Sequence, residues 1–93
     1  MERVVYTSHA KIRLKVRKID ELEVNGILKS PQKLYFDTAT GALVAIGPRI
    51  SVKDHWLIVV YTIEGDVIKI MTVIDVSSIN NFIRGAPGKG WVD

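Results

Sequence analysis

Between Lys33 and Val76 the chain passes four times through short segments rich in Val, Ile and aromatic residues. They are "KLYFD" (33–37), "ALVAIG" (42–47), "HWLIVVYTI" (55–63) and "VIKIMTVIDV" (67–76). β-branched and aromatic side chains pack well on a pleated surface, so each segment reads as a strand. "TATG" joins the first pair and "EGD" the last pair, both short enough for hairpins, while "GPRISVKD" is a longer irregular link. Four strands in sequence make an antiparallel sheet, and an apolar sheet face must be covered by another layer. The residues before Lys33 have to supply that layer.

They read as a short strand and two helices. "RVVY" (3–6) is β-prone, and Thr7 or Ser8 can accept a backbone N–H at a helix start. "KIRLKV" fits a strand with Ile12, Leu14 and Val16 on one face. It also fits a helix with Ile12, Val16 and Ile19 in one stripe. Nothing from 9 to 18 breaks a helix, and Lys, Arg and Leu favour one, so the helix is expected. In "DELE", Asp20 stands as N-cap with Glu23 three residues on, a capping box; Val24, Ile27 and Leu28 form its stripe and Pro31 stops it.

The expected fold is therefore a two-layer α+β domain. An N-terminal strand and a helical hairpin pack on a mainly antiparallel sheet of four to five strands. The core expected between the layers is Ile12, Val16, Val24, Ile27, Leu28, Ile58, Val60, Ile68 and Ile70. The single domain is expected over 1–84, with a helical turn in "SSINNFIRG", and the Gly-rich 85–93 as a tail.

Charge is unevenly placed. Residues 1–33 hold eight Lys or Arg against four acids, and residues 34–93 hold five against six. A basic excess at one end points to a polyanion such as RNA or DNA, or to a solvated helix face. There is no cysteine, which removes disulfides and thiol chemistry and fits the cytoplasm as the expected location. The longest apolar run, "WLIVVY", is too short to span a bilayer, and no signal-peptide h-region opens the chain, so no membrane partner is expected. Two histidines and scattered acids give no zinc spacing. "GAPGKGW" lacks the Walker spacing and its Ser/Thr, so neither metal nor cofactor is expected.

The order of elements, with "TSHAKIRLKVRKI" and the hairpin "HWLIVVYTIEGDVIKIMTVIDV", resembles the RelE/ParE toxin superfamily, including BrnT-like toxins and small uncharacterised relatives. The matching positions are Thr7, His9, Ala10, Arg13, Arg17 and Ile19, and the likeness covers about residues 3–80. It implies a toxin that cleaves messenger RNA without a metal, usually on the ribosome, with a cognate antitoxin as partner; some relatives poison gyrase instead and others have no known activity, and a homodimer is left open. Two positions depart from the pattern. No Arg or Lys stands between Lys69 and Arg84, where such toxins carry a base after the last strand. Lys18 stands where relatives often have Gly.

RNA cleavage needs a base for the 2′-OH, cations for the phosphorane and an acid for the leaving oxygen. By family position Lys69, Arg13 and Arg17 are the candidate catalytic cations, with His9 and Tyr61 as proton-transfer or stacking partners. On a helix, His9, Arg13 and Arg17 fall at i, i+4 and i+8. The structural reading is that His9 helps cap its helix and the arginines pair with Glu21 or Glu23. Lys11, Lys15 and Lys18 are the exposed nucleic-acid contacts, together with His55. If "EGD" is a three-residue loop, Tyr61 faces Lys69 and His55 faces Asp75, all on the face away from the helices, and His–Asp resembles an oriented acid or base. A two-residue loop sends Tyr61 and Lys69 to opposite faces. Two functions stay in play: an endoribonuclease toxin, and a non-catalytic module of the same fold that binds nucleic acid or protein.

Overall fold

The computed structural model describes residues 3–78 and 91–92. Along the chain run β1 (Arg3–Tyr6), α1 (Ser8–Arg17), α2 (Glu21–Lys29), β2 (Lys33–Asp37), β3 (Leu43–Pro48), β4 (Trp56–Glu64), β5 (Val67–Val76) and β6 (Trp91–Val92). The strands form one sheet in the order β1-β5-β4-β3-β2-β6. β1 runs parallel to β5, and every other pair is antiparallel. The α+β class and the mainly antiparallel sheet are as expected. The sheet has six strands rather than four to five, because Trp91–Val92 of the expected tail pairs with β2 at the edge. The helical turn expected in "SSINNFIRG" lies, beyond Ser78, outside the described residues.

Both helices start where the sequence places their caps. The Thr7 side chain accepts the Ala10 N–H at 3.1 Å, and its hydroxyl donates to the Met71 carbonyl at 3.0 Å, which pins the start of α1 to β5. Asp20 accepts the Leu22 N–H at 2.8 Å, and Glu23 reaches back to the Asp20 N–H, closing the capping box. α1 lies mainly on β5, and α2 on β3 and β4. Gly47 makes the second contact possible: a Cβ there would come within 3.0 Å of Ile27.

The face of α1 that meets the sheet differs from the expected one. Ala10 is fully buried and Leu14 packs beside it, whereas Ile12 and Val16 are 61% and 66% exposed. At 100° per residue, a helix seated on Ala10 and Leu14 turns Ile12 and Val16 to solvent. The small Ala10 is what lets the helix backbone approach β5. Of the expected core, Val24, Ile27, Ile68 and Ile70 are buried beneath the helices, and Leu28 packs partly against them. Ile58 is buried, but it clusters with Val44 and Ile46 on the far face, where Val60 also lies; the helix side of β4 is Leu57, Val59 and Tyr61. β3 and β4 are thus apolar on both faces, which is why their sequences run without alternation.

The β4–β5 hairpin turns on two residues, Gly65 and Asp66, since Glu64 pairs with Val67. Gly65 takes φ 63°, as a tight two-residue turn requires. Tyr61 then pairs with Ile70 and Thr62 with Lys69, but Val60 pairs with Thr72, so Met71 is an extra residue in β5. This bulge resets the register for the rest of the hairpin.

Lys18 closes α1 with φ 54° and ψ 48°, donating its N–H to the Leu14 and Lys15 carbonyls. This is the left-handed region, where a Cβ is costly and Gly is favoured. Lys18→Gly is therefore expected to stabilise the domain by about 1 kcal/mol, read as a higher urea midpoint with an unchanged m-value.

Candidate functional site

The residues singled out in the sequence fall into three places. On α1, Lys11, Lys15, Arg17 and Lys18 are exposed and Arg13 is half-buried. No acidic residue lies between Ser8 and Ile19, so the helix and its cap present five cations around exposed Ile12 and Val16. Among the described residues no carboxylate pairs with Arg13 or Arg17. Glu23, offered by the structural reading as their partner, is taken by Arg49 instead. His9 is exposed at the start of the same helix, its Nε2 3.1 Å from the Thr72 hydroxyl. His9 thus ties α1 to β5 just beyond the bulge.

Tyr61 and Lys69 do not join them. The two-residue turn puts Tyr61 on the helix side, where it is buried in the core, and leaves Lys69 exposed on the opposite face. The set of His9, Arg13, Arg17, Tyr61 and Lys69 is therefore not brought together around one point. The shared face expected for Tyr61, Lys69, His55 and Asp75 is corrected with it: Asp75 pairs with Leu57 and lies on the helix side.

His55 and Asp75 nevertheless meet. His55 Nδ1–H donates to Asp75 Oδ1 at 2.7 Å, a diagonal contact that the bulge permits. The pair belongs to a larger cluster centred on Arg49, whose side chain is 3% exposed. Arg49 follows β3, and its backbone N–H donates to the His55 carbonyl at 2.9 Å, which shapes the 49–55 loop. Its guanidinium binds Asp75 on one side and Glu23 on the other, at 3.1 Å, and donates to the Lys18 carbonyl at 3.3 Å. Ser51 donates its hydroxyl to Glu23 at 2.7 Å. One side chain thus joins the C-cap of α1, the first turn of α2, the 49–55 loop and the end of β5.

Ionisation in this cluster follows from the balance of burial and partners. Burial pushes the Glu23 carboxyl up. Hydrogen bonds from Arg49, from Ser51 and from the Asp20 N–H outweigh it and hold the group at about 2. Burial likewise raises Asp75, but His55 and Arg49 hold it below its ordinary value. Arg49 is disfavoured by burial and more than compensated by Glu23 and Asp75, so its pKa is raised. Fixed by Asp75, the His55 ring keeps Nε2 for proton transfer, and its side chain is 36% exposed. Two carboxylates against one guanidinium leave the cluster net negative while His55 is neutral, which disfavours a phosphate beside it.

No group of three or more His, Cys, Asp or Glu is placed to hold a metal among the described residues. No helix among them is long and apolar enough to cross a membrane. Sequence reasoning missed Arg49, which sits in the link "GPRISVKD" with no periodic neighbour to mark it. The one available signal was its burial partner Glu23, already fixed at a cap. Comparison with family models, curated proteins and solved structures finds no match to this chain.

Proposed function

We propose that this domain, a RelE-like α+β fold, is a nucleic-acid-binding module that holds RNA by its phosphates on the exposed face of α1 and does not cut it. The observation that carries the reading is the helix itself: five cations on α1 and its cap, no acid among them, four of the five exposed. Cations that are not committed to internal ion pairs are free to displace counterions from a phosphate backbone. The separation of Tyr61 and Lys69 from His9, Arg13 and Arg17 favours binding over cleavage.

A second reading keeps the toxin. The His55–Asp75 pair favours it, because an oriented imidazole with a free Nε2 can serve as acid or base. In that reading a cognate antitoxin protein is the partner.

Titration of a fluorescent single-stranded RNA at several salt concentrations tests the first reading. Affinity should fall with salt by a log–log slope of about −0.7 per phosphate contact. The triple variant Lys11→Gln, Lys15→Gln, Lys18→Gln should flatten that slope by about 2 and leave the thermal midpoint unchanged, because these side chains are exposed. Absence of binding at low salt, or binding indifferent to salt, would reject the module. RNA cleavage that disappears in His55→Ala would instead install the second reading.

A further inference from the structure

Three exposed aliphatic side chains have no part in phosphate binding. Ile12 and Val16 of α1 stand largely in solvent, and Leu22 of α2 is 77% exposed. Each has a definite direction. At 100° per residue, α1 turns Ala10 and Leu14 to the sheet and Ile12 and Val16 nearly opposite to it. α2 turns Val24 and Ile27 to the sheet and Leu22 away. Both helices lie on one face of the sheet, so the three side chains share one outer surface. Ile50, 92% exposed, adds a fourth at its border, where it lines a cavity of about 440 Å³ with Leu22 and Lys18.

The charge around these side chains is mostly of one sign. Lys11 and Lys15 flank Ile12 and Val16 on one side, and Arg13 and Arg17 on the other. From Ser8 to Lys29, six Lys or Arg stand against Asp20 and Glu21, because Glu23 is held by Arg49. A second copy of the chain is thereby a poor occupant, since two such faces would bring their cations together. A phosphate strand uses the cations and leaves the aliphatic ridge wet. An anionic bilayer uses both. Aliphatic side chains enter the boundary between headgroups and acyl chains, while Lys and Arg stay among the headgroups. We propose that the outer surface of α1 and α2 docks flat on an anionic phospholipid bilayer, with Ile12, Val16 and Leu22 seated below the headgroups and the α1 cations among their phosphates. The domain lies on such a membrane and does not span it. Bilayer docking is a second activity of this face and stands whether or not RNA binds there.

Sedimentation with phosphatidylglycerol and with phosphatidylcholine vesicles tests it. The wild type should bind phosphatidylglycerol about tenfold tighter or more, and added salt should weaken the binding. Ile12→Gln, Val16→Gln and Leu22→Gln together should lower the affinity for phosphatidylglycerol about tenfold or more. The thermal midpoint of this variant should hold, because the replaced side chains are exposed and glutamine favours a helix. It keeps every cation, so any RNA affinity of the wild type should be unchanged. The chain has no cysteine, so Val16→Cys carrying an environment-sensitive fluorophore places one label on the ridge. Its emission should shift to the blue on phosphatidylglycerol. Equal binding to the two vesicles overturns the docking, as does a label whose emission stays put. So does a glutamine variant that binds phosphatidylglycerol like the wild type, or one that loses RNA as well. If that variant instead changes the oligomeric state without vesicles, the face joins copies of this chain and the docking is overturned too.

Discussion

Arg49→Met is expected to lower the unfolding free energy by about 3–5 kcal/mol. Methionine keeps the apolar stem of arginine and removes only its guanidinium head, so the loss is chiefly that of the head's charge and hydrogen bonds. The substitution leaves Glu23 and Asp75 as largely covered carboxylates without their guanidinium; Glu23 then has only Ser51 and the Asp20 N–H to satisfy it, and Asp75 only His55. It also frees the Lys18 carbonyl at the end of α1. The measurement is a urea midpoint at neutral pH, with far-ultraviolet circular dichroism to confirm that the remaining protein is folded. The same variant carrying Glu23→Gln should recover part of the loss, because it removes the worse of the two stranded charges. A change under about 1 kcal/mol would show that the cluster behaves as an exposed ion pair and not as the junction of four segments.

The second expectation is acid sensitivity in the wild type. Glu23 ionises at about 2 in the folded protein against 4.5 without these contacts. A folded-state value below the unfolded one means that the unfolded chain binds the proton more readily. The stabilisation is therefore complete above about pH 4.5 and is lost as pH falls toward 2. It is on the order of 3 kcal/mol for this group alone. Asp75 is shifted in the same direction and adds to the loss. Urea midpoints taken from about pH 5 to pH 2 should fall steeply in the wild type and much less in Glu23→Gln. In Arg49→Met the acid-sensitive contribution of Glu23 should shrink, because the guanidinium that helps hold its carboxyl down is gone while Ser51 and the Asp20 N–H remain. A parallel decline in wild type and Glu23→Gln would mean that other carboxylates govern acid unfolding.

The strands and both helix starts are legible in the sequence because each has a local cause. Leu, Tyr and Phe mark β2 and Val and Ile runs mark β3 to β5, and Thr7 and Asp20 are caps whose oxygen atoms lie where the sequence suggests. The buried face of α1 is not legible in the same way, because Ile12 and Val16 outrank Ala10 in hydrophobicity. Close approach to β5 depends on side-chain size, which periodicity does not weigh. Nor does the sequence choose between two turn lengths for the β4–β5 hairpin. The observed answer needs a tight turn and also a bulge at Met71, and methionine carries no conformational signature of a bulge. A three-residue loop would pair His55 with Asp75 directly; they touch instead through a two-residue turn and the bulge. Arg49 escapes notice because its partners come from positions 18, 23, 51 and 75, so only the assembled chain makes the site.

The parallel pairing of β1 with β5 has a consequence for how the molecule is made. Arg3 aligns with Val67 and Tyr6 with Ile70, and α1 rests chiefly on β5. β1 and α1 therefore have no docking partner until β5, some sixty residues further along the chain, has been synthesised. Closing so long a loop before any reward makes folding slow compared with a helical bundle of this size. β1 and the basic α1 wait as an uncommitted segment until β5 is in place. Any shortened chain that stops before Val67 should lose the order of β1 and α1 along with the missing strand.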